Sequence, residues 1–270
     1  LNTLFDLNNE IAVVTGALGK LGVVWIEALL GAGASVFALD LPDRPVPEAF
    51  DNLRARYGHS RLELARADVR DRPALEQSCL ACEESLGVPT ILVNNAGIDS
   101  PPAATGPGYR LEDIPLQENR DIFEVNALGL FLTTQVFGGR MTRAGYGSII
   151  NIGSLYAGVS PDAGFYDHIP SDPPFIKPPA YGASKAAVAN LTRYLATHWA
   201  GLGVRINTLS PGGVLGAQDA LFKHKFCARV PMGRMADSSD LYGPLLFLAS
   251  RASAYVTGTE LVVDGGFTAW

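Results

Sequence analysis

Short runs rich in Val, Ile and Leu alternate with longer helix-patterned stretches from one end of the chain to the other, and this alternation limits the fold more than anything else in the sequence. The β-rich runs fall at 11–15, 35–40, 62–68, 90–94, 147–152, 204–209 and 260–264. Helical patterns fall between them, at 20–32, 73–86, 118–143 and 181–200. The strands are apolar throughout, without polar alternation, so both faces must be covered. That is the signature of a parallel sheet with helices on each side. The spacing predicts an α/β fold, a doubly wound parallel sheet (Rossmann-like) in three layers, α/β/α, as a single domain over 1–270. No internal repeat or low-complexity linker interrupts it.

Composition excludes several classes of function. Of 270 residues 47% are hydrophobic and 18% charged, which is globular and not disordered. The net charge of −6 draws neither nucleic acid nor an anionic membrane. No apolar run is long enough to cross a bilayer, and no cationic segment precedes an apolar one at the start, so a cytoplasmic protein is expected. Cys79 and Cys82 form a C-x-x-C without a second ligand pair at zinc spacing, inside a predicted helix. They read as two small helix residues in a reducing compartment, and no metal site is expected.

Thr15-Gly16-Ala17-Leu18-Gly19-Lys20-Leu21-Gly22 lies between the first strand and its helix. Glycines at such a turn let the backbone approach a pyrophosphate, while the helix N-terminus offers free N–H groups and the positive end of its dipole. Asp40 closes the second strand, where a carboxylate accepts hydrogen bonds from ribose hydroxyls and repels a 2′-phosphate. NAD is therefore favoured as cofactor. Lys20 and Arg44 are cations close in sequence and leave NADP open.

Tyr181 and Lys185 stand four residues apart in a helical segment, so both side chains leave one face. A nearby ammonium favours the phenolate and draws a tyrosine down from its ordinary pKa of about 10 toward working pH. There it can give or take a proton.

These marks form one ordered set with Asp68-Val69 after the third strand, Asn94-Asn95-Ala96-Gly97 after the fourth and Ser154 after the fifth. Pro211-Gly212 and Val263-Asp264-Gly265-Gly266 complete it. Over essentially its whole length the chain resembles the short-chain dehydrogenase/reductase family. The resemblance implies Tyr181 as general acid/base, Lys185 as its pKa partner and holder of the nicotinamide ribose, and Ser154 as hydrogen-bond donor to the reacting oxygen. Asn126 matches a position that anchors a water linking Lys185 to solvent. Gly16, Leu18, Gly19, Lys20, Leu21 and Gly22 would contact the dinucleotide, with Asp40 on the adenosine ribose and Asp68 and Val69 on the adenine. Asn95, Ala96 and Gly97 would shape the floor, and Pro211, Gly212 and the Val214 amide would meet the carboxamide end. Implied too is hydride transfer between a secondary alcohol and a ketone, in a homo-oligomer (tetramer or dimer). The long helices at 118–143 and 181–200, apolar on more than one face, fit such an assembly.

Two departures stand out. Lys20 occupies a usual glycine position, with the glycine displaced to Gly19, and Gly216 stands where the family often has a threonine. Three stretches (98–117, 155–180 and 212–237) also follow strand ends as expected substrate loops. The second lengthens the interval between Ser154 and Tyr181 and carries Asp162, Asp167, His168 and Asp172 among prolines and aromatics. Polar acceptors beside flat apolar faces suit a sugar, polyol or sugar acid; the alternative is that they only solvate and stiffen the loop. An NADPH-dependent reductase of an acyl, steroid or aromatic ketone, lined by Leu155, Tyr156, Phe165 and Phe175, is the competing reading. A catalytically silent NAD-binding scaffold is the remote one.

Overall fold

The computed structural model describes residues 2–99 and 109–270. Seven strands form one parallel sheet in the order β3-β2-β1-β4-β5-β6-β7. They are β1 (Ile11–Thr15), β2 (Ser35–Asp40), β3 (Leu62–Arg66), β4 (Ile91–Asn94), β5 (Gly147–Ile152), β6 (Val204–Pro211) and β7 (Glu260–Val263). The strand order reverses between β1 and β4, which opens a crevice beyond their carboxyl ends. β4 and β5 are buried at every residue, as a sheet covered on both faces requires.

Two cores flank the sheet. On one side α1 (Lys20–Gly31), α2 (Glu48–Tyr57) and α9 (Tyr242–Ala249) bury Trp25, Ile26, Leu29, Phe50, Leu245 and Leu248. On the other, α3 (Arg72–Ser85) supplies Leu75, Cys79 and Cys82, and α7 (Pro179–Trp199) supplies Leu195 and Ala196. A long helical stretch completes that layer: α4 (Leu116–Phe123), a π turn (Glu124–Gly129), α5 (Leu130–Thr133), a second π turn (Thr134–Gly138) and α6 (Gly139–Ala144). The predicted three-layer α/β/α arrangement is the observed one. Both C-x-x-C thiols are buried and free, and burial raises both, Cys82 to about 12, which leaves them unreactive.

Three helices, α2, α8 (Ala220–Arg229) and α9, lack a readable pattern in the sequence. α2 buries only Phe50 and Leu53, and α8 only Phe226, so neither shows an apolar stripe. α9 is apolar on every side and has no period to detect. The 212–237 stretch, expected as a loop, thus contains a helix, started by the Asp219 carboxylate accepting from the Phe222 N–H. Much of the 98–117 stretch lies outside the described residues. Among the described residues no helix is long and apolar enough to cross a membrane.

Candidate active site

A cleft of about 640 Å³ follows the carboxyl ends of the central strands. At one end sits the glycine turn. Gly16 has a φ of +61°, and a Cβ there would lie 2.8 Å from the Ala96 Cα. A Cβ on Gly22 would lie 2.2 Å from the Gly16 carbonyl oxygen and 2.7 Å from Ala17 backbone atoms. The turn is therefore as close to its neighbours as backbone can come. Gly19 is the N-cap of α1 and provides no side-chain cap, so the first N–H groups of the helix are left for an anion. The residues fit a dinucleotide pyrophosphate. Since backbone atoms cannot yield, Gly22→Ala is expected to cost on the order of 3 kcal/mol and to weaken NADH binding at least about tenfold. Thermal melting and fluorescence titration read the two effects.

Asn95 supports this turn from below. Its Nδ2 donates to the carbonyls of Thr15 and Gly16, both at 3.0 Å, and its Oδ1 accepts from the Trp25 indole at 2.8 Å. The buried Thr15 hydroxyl accepts from the N–H groups of Asn95 and Ala96. Asp40 does more than line the cleft. Its two oxygens accept from the Leu18 and Leu41 N–H groups, at 2.7 and 2.8 Å, and so tie β2 to the turn. Leu18 itself is buried beside it, and Leu21 lines the cleft. Asp68 is paired with Arg70 at 2.6 Å, which holds its carboxyl below the usual range, and Val69 is buried next to it. Arg44 and Arg70 also face the cleft.

The two departures from the family pattern meet in one contact. The Lys20 ammonium donates to the carbonyls of Leu215 (2.5 Å) and Val214 (3.3 Å), so it points to the segment after β6 and not to the end of β2. A Cβ on Gly216 would lie 2.5 Å from that nitrogen. The lysine fills the room a side chain at 216 would need. Pro211, Gly212 and Val214 line the cleft on this side. Gly212 packs on Asp264, where a Cβ would stand 2.7 Å from the Asp264 Cα, and Asp264 accepts from Gly266 and Thr268 to fix the support.

At the other end of the cleft Ser154, Tyr181 and Lys185 converge. The Ser154 hydroxyl, two residues past β5, lies beside the Tyr181 phenol and accepts from the Tyr156 N–H at 3.2 Å. Lys185 is buried, donates to the Ile152 carbonyl at 2.8 Å, and stands 5.8 Å from the centre of the Tyr181 ring. The sequence led us to expect a phenol drawn downward by the cation. Instead burial pushes Tyr181 up to about 12, with the Asp99 charge adding to it and the Ser154 hydroxyl opposing. Burial also takes Lys185 down to about 8, against the pull of Asp99. Both groups are thus protonated at neutral pH.

Asn126 sits in the first π turn, a common way of aiming a side chain at a site. Its Oδ1 accepts from the Ile98 N–H at 2.8 Å, and its Nδ2 donates to the Ile98 carbonyl and to the Ser184 hydroxyl. Asn126 and Lys185 close on Gly97 from two sides, since a Cβ there would lie 3.2 Å from Asn126 Oδ1 and 3.6 Å from Lys185 Nζ.

The 155–180 insertion corrects two expectations. Its polar residues hold it to α8. Arg229 reaches Asp162 at 3.4 Å, Lys225 pairs with Asp167, and His168 Nε2 lies 2.9 Å from Asp219. Its aromatics form a third core of their own. Leu155, Phe165 and Tyr166 are buried with Phe226 and Phe267, and Phe175 packs on Tyr166 at 5.0 Å between ring centres. Of the apolar lining proposed for a hydrophobic ketone, Leu155, Phe165 and Phe175 are therefore engaged in this core and do not line the cleft, while the Tyr156 ring faces Lys177. Asp99 and Lys177, which no motif marks, stand at or beside the Tyr181 end, and Asp121 lines the cleft near Arg70.

A dinucleotide cradle at the switch of a parallel sheet, joined by a Ser–Tyr–Lys cluster, defines a nicotinamide-dependent oxidoreductase of alcohols and ketones. A short-chain dehydrogenase/reductase model, described as enoyl-(acyl carrier protein) reductase, matches residues 16–268. The chain belongs to the short-chain dehydrogenase/reductase family. It is 34% identical to galactitol 2-dehydrogenase (L-tagatose-forming) of Cereibacter sphaeroides over 99% of this chain and 98% of the relative. Its fold matches the structure of a gluconate 5-dehydrogenase from Burkholderia cenocepacia J2315 in complex with NADP and tartrate, with a TM-score of 0.85, 29% identity and 100% and 99% of the two chains covered. A short-chain dehydrogenase from Leptospira borgpetersenii with bound NAD⁺ matches with a TM-score of 0.82 and 32% identity, over 97% and 94%. The protein is an NAD(P)-dependent dehydrogenase of this family acting on CH–OH groups.

Proposed function

We propose that the enzyme interconverts a secondary alcohol of a sugar, polyol or sugar acid and the corresponding ketone, with NAD as the preferred cofactor. The observation that carries this reading is the division of the insertion. Its aromatics are packed into their own core, while the reacting end of the cleft presents Ser154, Tyr181 and Asp99. Hydroxyl-rich ligands need such acceptors and donors, and an acyl or steroid ketone would need the apolar faces that are engaged in that core. The galactitol 2-dehydrogenase and gluconate 5-dehydrogenase relatives support the same choice.

In the proposed mechanism Tyr181 removes the hydroxyl proton in oxidation and returns it in reduction. Ser154 donates a hydrogen bond to the reacting oxygen as charge gathers there. Lys185 holds the nicotinamide ribose and balances the phenolate charge. Asn126 positions the floor at Ile98 and Ser184 and thereby the approach to Lys185. A bound nicotinamide supplies the hydride acceptor or donor. The glycine turn with Lys20, Asp68, Val69, Asn95, Ala96, Gly97, Pro211, Gly212 and Val214 would hold the remainder of the dinucleotide.

The preference for NAD rests on Asp40, whose carboxylate is fixed at the cleft by two backbone amides. A 2′-phosphate would bring a second negative charge against it, at a cost of about 1–3 kcal/mol. NADH is expected to bind about 10- to 100-fold more tightly than NADPH in a fluorescence titration. NADPH preference would mean that Arg44 outweighs Asp40. Exposed Leu116, Phe123, Leu128 and Tyr194, on α4, the first π turn and α7, support a homo-oligomer, dimer or tetramer; the cytoplasm is the compartment proposed with it. The substrate reading is tested by assaying NADH formation across polyols, sugars and sugar acids beside apolar ketones. Turnover confined to the apolar ketones would overturn it.

A further inference from the structure

The insertion returns one charged side chain to the reacting end. Lys177 lies four residues before Tyr181, its side chain only 7% exposed, and its ammonium is 2.6 Å from the Asp99 carboxylate. That nitrogen also stands 5.0 Å from the centre of the Tyr181 ring and 5.7 Å from that of Tyr156, within the range of a cation–π contact. The two partners are placed differently. Lys177 is enclosed between two aromatic faces, whereas Asp99 is 37% exposed and lines the cleft with Ser154, Tyr181 and Lys185. Of this ion pair it is the carboxylate, not the ammonium, that a ligand in the cleft can reach, and the ammonium holds that carboxylate in place. The negative charge of Asp99 is felt by Tyr156, Tyr166, Tyr181 and Lys185 alike, which marks it as central to this end.

A carboxylate offers about four acceptor positions and no donor. Placed beside a reacting carbinol, it suits vicinal hydroxyl groups, and each hydrogen bond to it is charge-assisted. It acts in the opposite sense on a second carboxylate, which it repels across a cleft of low dielectric. Lys177 does not reverse this, because its charge is already engaged and its nitrogen is shielded by the rings.

We propose that Asp99, positioned by Lys177, is the specificity-determining residue of this site. It accepts hydrogen bonds from hydroxyls flanking the reacting carbon and turns away substrates with a carboxylate within two or three carbons of that centre. The physiological substrate is then a neutral polyol or sugar. This rests on the carbohydrate reading above and narrows it.

The test compares alditols of four and five carbons with aldonates of the same skeletons, in which every secondary carbon lies within three carbons of the carboxylate. For the wild type the alditol is expected to exceed its aldonate about 10- to 100-fold in kcat/KM, the worth of one or two charge-assisted hydrogen bonds. Asp99→Asn should bring the ratio toward unity, raising KM for the alditol and lowering it for the aldonate. Asp99→Glu should restore the discrimination, which a merely structural clasp between Asp99 and Lys177 would not require. Should the variants not fold, the wild-type complex with NADH still decides, since alditols should compete for the site and aldonates should not. An aldonate that competes as well as its alditol, or an unchanged ratio in Asp99→Asn, overturns the proposal. Turnover of apolar ketones alone, with neither alditol nor aldonate bound, would instead overturn the carbohydrate reading.

Discussion

Tyr181→Phe is expected to lower kcat by roughly 10²- to 10⁴-fold while NADH affinity stays within about twofold of wild type. The range is that of a positioned general acid or base. Phenylalanine keeps the ring on which the Lys177 ammonium rests and removes only the hydroxyl that Ser154 contacts. A structural tyrosine would lose binding and turnover together, so steady-state kinetics beside a fluorescence titration separates the two roles. The wild-type pH profile carries the same signature. A phenol raised to about 12 by burial is protonated at neutral pH, the form that donates to a ketone. Alcohol oxidation needs the phenolate, whose fraction grows about tenfold per pH unit below the pKa. Oxidation should therefore rise with pH and ketone reduction should not, and Tyr181→Phe should flatten the slope.

The sheet was legible in the sequence because a strand buried on both faces has no alternative pattern. The runs at 11–15, 35–40 and 147–152 coincide with β1, β2 and β5. Of the helices that escaped, α2 and α8 bury too few residues on one side to show a period, and α9 is apolar on every side. The long helix around Asn126 was legible as helix, but not its two π turns, since the sequence pattern there gives no sign of i→i+5 bonding.

For the cleft, legibility followed sequence locality. The glycine turn and the Tyr181–Lys185 pair each lie within one short segment, so spacing alone brings their groups together. Asp99 and Lys177 are 78 positions apart and meet only because β4 and the end of the insertion share one rim of the sheet. The polar residues of the insertion show the converse. Asp162, Asp167 and His168 looked like ligand contacts in sequence, yet their partners are on α8, a helix whose weak pattern hid it, or, for His168, at its N-cap Asp219. Nor could the exchange of Lys20 and Gly216 be read as one event, because the turn after β1 and the segment after β6 touch only in the fold.

Lys185→Met is the second large effect, and its two consequences have opposite signs. Turnover should fall by about 10²-fold or more, because the residue proposed to balance the Tyr181 phenolate loses its charge. Stability at neutral pH should rise. Burial has moved the ammonium from 10.5 to about 8, and at about 1.4 kcal/mol per unit this is roughly 3 kcal/mol of cost for keeping it charged. Methionine fills a similar volume without the charge, while the Ile152 carbonyl gives up its 2.8 Å donor at a loss of about 1 kcal/mol. A net gain of roughly 1–2 kcal/mol corresponds to a rise in Tm of several degrees. Because the folded-state pKa is depressed, the cost is fully present below pH 8. As pH climbs from about 8 to 10.5 the folded wild type releases its proton before the unfolded chain does, and the cost disappears. The difference in Tm between Lys185→Met and wild type should accordingly be greatest near pH 7 and shrink toward pH 10. A variant less stable than wild type at pH 7 would mean that the Ile152 bond and the attraction of Asp99 outweigh desolvation. The more stable outcome would show the site keeping a buried cation at the expense of the fold, as the proposed proton transfer by Tyr181 requires.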